Sequence, residues 1–150
     1  MRHFHVGRLF GLLGVFVMTT RRESVERRQH KRFRVPEGTI AVLGRPNATV
    51  GRIIDISMAG LAFVYVADKK PTGEASEIDI LLTDDLSHLY GLPCETVYDF
   101  QNGNTRPSAS MTERRRGVKF RGLTLSQTLH LQDLIRYCAT DESQTNSSAL

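Results

Sequence analysis

The chain has little from which to build a metal centre or a disulfide framework. It contains two cysteines, Cys94 and Cys138, far apart and in no C-x-x-C pair. Both therefore read as small buried or half-buried hydrophobes, in keeping with a reducing cytoplasm. The five histidines, His3, His5, His30, His88 and His130, form no H-E-x-x-H or comparable arrangement. No metal site and no cofactor is expected. Catalytic constellations are lacking too: Asp84, Asp85 and His88 lie near one another in a turn-like stretch without a nucleophile or oxyanion donors, which speaks against an enzyme. Long apolar runs are also missing. "LFGLLGVFVM", after Arg2 and Arg8, imitates a signal peptide, but it falls short of the roughly 20 apolar residues that cross a bilayer. No small-x-small cleavage site follows it. Residues 1–17 are therefore set outside the fold as a non-native or disordered extension, translation from Met18 being the leading explanation. A membrane-surface or export segment and an extra ordered helix are the others.

What is present is basic charge, and it is concentrated. Residues 21–34 carry seven Lys and Arg against two Glu, a local charge of +5, so the remainder of this +4 chain sums to about −1. The basicity belongs to one short arm, residues 18–35, and suggests a compact anionic partner met at one place. Pro36 favours an extended Val35 and a handover from the arm into a first strand. The rest is ordinary: 40% apolar and 24% charged residues in 150 positions suit a single domain with tails.

From residue 37 the apolar pattern has period two. "GTIAVLG", "VGRIIDIS", "GLAFVYV", "EIDILLT", "CETVYDF" and "RGVKFRG" are short and rich in β-branched or aromatic residues, with "RPNAT", "DKKPTGEAS", "YGLP" and "QNGNTRPSAS" as punctuation. Six such strands predict an all-β antiparallel barrel or sandwich, closure being the way to remove free edges. The period then changes. Leu131, Leu134, Ile135 and Cys138 share one helical face, and Thr124 with Gln127 has capping-box spacing, which predicts a helix from about Leu125. Barrel and helix together are expected over 36–140. "DESQTNSSAL", residues 141–150, is polar and without periodicity and is expected to be disordered. No internal repeat is visible.

Two motifs carry chemistry. In "RRQHKR", Arg28 and Arg32 are four apart with Arg27 just before; arginine forks bind phosphate oxygens bidentately and stack on purines. In "DISMAG", Asp55 and Ser57 are two apart and project from one face of a strand, with Ile54 and Ile56 on the other. Gly60 permits a turn with positive φ or a close approach of a flat ligand to the backbone. A carboxylate accepting from two N–H donors suits the N1–H and N2–H edge of guanine. Each has a bland alternative: a solvated arm, and a turn that satisfies its own backbone.

At these residues the sequence resembles the PilZ domain family, bacterial receptors for cyclic di-GMP. That family has an R-x-x-x-R arm, a [DN]-x-S-x-x-G motif on a strand that follows, a six-stranded antiparallel barrel and a closing helix. "RQHKR" supplies the first motif and "DISMAG" the second, while "GVKFRGLTLSQTLHLQDLI" looks like the last strand and helix, so the resemblance covers about residues 26–138. It implies a PilZ-type β-barrel with one C-terminal helix. It places Arg28 and Arg32 on phosphates and against guanine, Asp55 and Ser57 on guanine edges, and Gly60 where the ligand comes close. It further implies that Arg27 accompanies a stacked pair of ligand molecules and that Tyr98 packs against the ligand. Arg114, Arg115 and Arg116 match no motif and read as a solvated face that adds phosphate charge at the barrel rim at most.

The expected function is thus a cytoplasmic, non-catalytic cyclic di-GMP receptor whose arm changes conformation on binding and acts on a separate effector, with a motility, biofilm or exopolysaccharide type of output. Two other classes remain. A nucleic-acid-binding module would use the arm as an electrostatic tether with steep salt dependence and no ligand discrimination. A degenerate PilZ adaptor would bind protein alone. The intact motifs favour the receptor, for which neither specific nucleic acid nor a membrane span is expected.

Overall fold

The computed structural model describes residues 29–71, 73–82, 88–103 and 110–147, with side chains to residue 144. The chain divides into two units, Met1–Lys31 and Arg32–Leu150. Of the first, only residues 29–31 are described, and all three are exposed. The extension expected over residues 1–17, Arg27 and Arg28 lie outside the described residues.

The second unit is an antiparallel β-barrel closed by a helix. Its strands are β1 (Phe33–Arg34), β2 (Ile40–Leu43), β3 (Thr49–Ser57), β4 (Gly60–Ala67), β5 (Glu77–Leu81), β6 (His88–Gln101) and β7 (Thr112–Phe120), followed by α1 (Leu125–Ser147). Six of them form a ring, β3-β2-β5-β6-β7-β4, which the β3–β4 pairing closes. The short β1 continues the edge of β3 beyond the end of β2, with Phe33 opposite Ile56 and Arg34 opposite Asp55.

Period-two alternation sends Ala41, Leu43, Ile78, Ile80, Leu61, Phe63, Val118 and Phe120 into one core. The helix lays Leu131, Leu134, Ile135 and Cys138 onto it, the face its spacing predicts. Its start is as the sequence predicts: Gln127 N donates to Thr124 Oγ1 at 3.1 Å while Thr124 N donates to Gln127 Oε1 at 3.0 Å.

Three details differ from the sequence reading. "YGLP" does not interrupt the chain of strands. It lies within the 14-residue β6, because Gly91 takes φ +61° and its N–H finds Asp79 Oδ1 at 2.8 Å, absorbing an irregular register without breaking the strand. Residues 141–147, expected to be disordered, continue α1. A polar contact accompanies them: the backbone N–H of Arg34 donates to Glu142 Oε1 at 2.9 Å, tying the helix to β1. Finally, the arm does not run free to residue 35, since Phe33 and Arg34 already pair with β3.

Candidate ligand-binding cleft

Strand pairing lays two rows of residues across the outer face of the barrel. Ser57 on β3 stands opposite Gly60 on β4, and Gly60 opposite Lys119 on β7. In the second row Asp55 stands opposite Ala62, Ala62 opposite Gly117, and Gly117 opposite Tyr98 on β6. The middle of that row carries nothing larger than a methyl group, and the Tyr98 ring lies over Gly117. Here a cleft of about 190 Å³ opens, lined by Arg32, Asp55, Ser57, Gly60, Tyr98 and Lys119 among others.

Two bulges make this possible. The β3–β4 register slips between Ile53 and Asp55, so Ile54 is the extra residue and Asp55 takes the outward position opposite Ala62 that Ile54 would have held. The core accordingly takes Ile53 and Ile56. The expected pairing of Ile54 with Ile56 on the inner side is thereby corrected, while Asp55 and Ser57 do share a face. The β6–β7 register slips between Thr96 and Tyr98, and Tyr98 replaces Val97 opposite Gly117. A side chain at Gly117 would run into the Tyr98 ring; that ring also neighbours Phe100 at 5.5 Å between centroids.

The two small residues of the DISMAG motif serve the fold first. Ser57 is 5% exposed, and its Oγ accepts from Ala59 N at 3.1 Å and donates to the Gly60 carbonyl at 3.3 Å, closing the β3–β4 turn. One hydroxyl lone pair is left over. Gly60 is not in the left-handed region, so the positive-φ explanation fails. A Cβ there would collide with the Val118 carbonyl oxygen and stand 3.1 Å from Lys119 Cα; glycine lets β7 come close.

Asp55 lies between two guanidiniums. Arg32 Nη1 is 3.5 Å from its Oδ1 and Arg115 Nη2 is 3.7 Å from its Oδ2. Lys119 is the residue that the sequence reading missed at this site, and of Arg115, read only as part of a solvated triplet with charge for phosphate at the rim, it missed the pairing with Asp55. Alternation from buried Val118 points to Lys119, but the partner of Arg115 lies two strands away. The expected solvated triplet is split by the same alternation. Arg114 and Arg116 turn to the opposite side from Arg115, where Asp99 receives Arg114 Nε and Arg116 Nε at 2.8 Å each and the Tyr65 hydroxyl at 2.7 Å. The Arg116 guanidinium stands 5.3 Å from the Tyr65 ring centre. Burial alone would raise the Asp99 carboxyl, but the hydrogen bonds from Tyr65, Arg116 and Arg114 outweigh it and hold the group below its ordinary value. Burial first, and the bond to Asp99 second, push the Tyr65 hydroxyl up.

Away from the cleft, Cys94 and Cys138 are free and buried, and burial pushes both thiols up to about 11. Of the acid/base set, Asp84 and Asp85 lie outside the described residues. Among those described, no group of His, Cys, Asp and Glu is placed to hold a metal ion. No helix among them is long and apolar enough to cross a membrane.

A small closed barrel with a two-residue strand feeding an arginine to an outer cleft defines a class of ligand-binding domain. The model of the PilZ domain matches residues 26–139, and the chain belongs to that family. No curated protein matches it in sequence. Among solved structures it is similar to the PilZ domain of YcgR from Escherichia coli with c-di-GMP, at 13% identity and a TM-score of 0.62, covering 83% of this chain and 100% of that domain. The K. pneumonia MrkH–c-di-GMP complex follows at 14% and 0.61, over 80% of this chain and 56% of that one. The Bacillus subtilis inhibitor of motility MotI/DgrA gives 19% and 0.51, over 79% and 52%. The chain thus spans the whole of an isolated PilZ domain but about half the length of the longer proteins. At these identities the likeness is one of fold.

Proposed function

We propose that this protein is a non-catalytic receptor for cyclic di-GMP, acting in the cytoplasm through a separate effector. One observation carries the reading: Arg32, Asp55, Ser57, Gly60 and Tyr98, which come from three separate stretches of sequence, line a single cleft. The YcgR and MrkH structures that this barrel is similar to hold c-di-GMP, which supports the choice of ligand. In this reading Asp55 accepts from a guanine edge, Tyr98 packs on the ligand, and Arg32 takes a phosphate or stacks on a base. Arg28 completes the clamp, and Arg27 holds the second molecule of a stacked pair. Ser57 and Gly60 shape the turn against which the ligand lies.

β1 already brings Arg32 to Asp55, which spares binding the cost of ordering that contact. Titration calorimetry with cyclic di-GMP, GTP and cyclic di-AMP tests the reading. Cyclic di-GMP should bind best, and Asp55→Ala should weaken it by about 10- to 100-fold, the loss of hydrogen bonds to a charged acceptor, with the melting temperature preserved. Equal binding of all three ligands with a steep salt dependence would favour a general phosphate tether, and an unchanged affinity of Asp55→Ala would remove Asp55 from the site.

A further inference from the structure

We infer that Arg115, which belongs to neither family motif, is a ligand-binding residue of this cleft: its guanidinium waits on Asp55 and passes to a phosphodiester oxygen when a guanine edge takes that carboxylate. The inference rests on the receptor reading above and adds a residue and a step to it.

Backbone placement comes first. Arg114 and Arg116 are locked on Asp99 from one side of β7, which fixes the strand and leaves Arg115 facing the other way, toward Asp55. Cross-strand pairing sets it beside Val64 on β4 and Phe100 on β6, one row from Tyr98.

The guanidinium itself is under-used. Its Nη2 is 3.7 Å from Asp55 Oδ2, beyond hydrogen-bonding distance, and its Nε is shielded from solvent without a hydrogen-bond partner among the described residues. The side chain is about one-third exposed. Its contact with Asp55 is thus an ion pair and not a hydrogen bond, and turning it to a new acceptor breaks no hydrogen bond among the described residues. A phosphodiester offers the acceptor geometry that an arginine fork matches.

Charge agrees. Arg32 and Lys119 line the cleft with Asp55, and Arg32 and Arg115 flank that carboxylate, so these four side chains carry an excess of two positive charges. Glu95, opposite Lys119, is already paired with Arg121. A cyclic dinucleotide carries two phosphodiester charges, so the barrel surface matches one molecule before Arg27 and Arg28 are counted.

The test is calorimetry of cyclic di-GMP with the full chain and with Arg115→Ala and Arg115→Lys, together with the Nε–Hε NMR resonance of Arg115 in the wild type. Arg115→Ala should bind about tenfold or more weakly, as loss of a charge-assisted contact implies. Arg115→Lys should recover part of this through charge without the fork, and the Nε–Hε resonance should shift on saturation. Wild-type affinity in Arg115→Ala overturns the inference. So does tighter binding, which would make Arg115 a mere competitor for Asp55, and so does a resonance that does not move. If Arg115→Ala fails to fold, the lysine variant and the wild-type resonance decide. A wild type that binds no cyclic di-GMP sinks the receptor reading itself, and the inference falls with it.

Discussion

Asp99 is nearly sealed from solvent, with 2% of its side chain exposed, and it faces two arginines and a tyrosine. Such a group is tolerated only because its partners satisfy it; removing it leaves two guanidiniums uncompensated. Asp99→Ala should therefore cost about 3–5 kcal/mol in chemical denaturation. The pH dependence has a definite sign. A carboxyl held below its ordinary value of about 3.9 stabilises the fold above that pH, and the contribution disappears as pH falls through the lower folded-state value. The stability gap between wild type and Asp99→Asn should accordingly narrow below about pH 3.9; a gap independent of pH would show that the charge of Asp99 does not matter. Nothing in "TVYDFQ" announces this role, because strand alternation alone does not tell a solvated aspartate from one facing arginines on the next strand. Ser57 and Gly60 are the reverse case. Their positions were legible as a motif, while the reason for each residue, a turn hydroxyl and a close approach of β7, needed the neighbouring strand.

Among the elements, those whose signal is local were legible. The Thr124–Gln127 box and the Leu131–Cys138 face mark α1 because caps and helical periodicity sit within a few residues of one another. Elements shaped by distant contacts were not. β6 reads as a strand that begins only after "YGLP", because Gly91, at φ +61°, and Pro93 look like a turn in sequence. The end of α1 reads as tail because what ties it to the barrel includes a polar contact between residues far apart in sequence, from the Arg34 N–H to Glu142, which no local periodicity announces. That contact joins the helix to β1, the strand that delivers Arg32 to the cleft. Glu142→Ala should raise amide hydrogen exchange at Arg34 by about fivefold, the worth of roughly 1 kcal/mol of hydrogen bonding, while β4 and β7 amides keep wild-type protection. Unchanged exchange at Arg34 would mean that pairing with β3 holds β1 without the helix.

On the scale of the whole molecule, charge and fold divide the labour. The arm holds a local +5 while the rest of the chain sums to about −1, and the cleft gathers its positive excess from β7 as well as from the arm root. A ligand that neutralises both should couple binding to stability. At about 100 times its dissociation constant, cyclic di-GMP should stabilise the fold by roughly 2.7 kcal/mol if one site dominates and the unfolded chain does not bind. Arg28→Ala and Arg32→Ala should each remove most of the resulting thermal shift. The ligand-free melting temperature should hardly change, since exposed substitutions move stability by less than about 0.5 kcal/mol; Arg32 fits that class, being half-exposed with only a long ion pair to Asp55. Arg27 should act on number more than on strength. If it holds the second molecule of a stacked pair, Arg27→Ala should lower the calorimetric stoichiometry from two cyclic di-GMP per chain toward one, and the remaining molecule should keep the contacts that depend on Asp55 and Tyr98. A wild-type stoichiometry of one would rule out the stacked pair, and a full thermal shift in the Arg28→Ala, Arg32→Ala double variant would rule out the arm as a clamp.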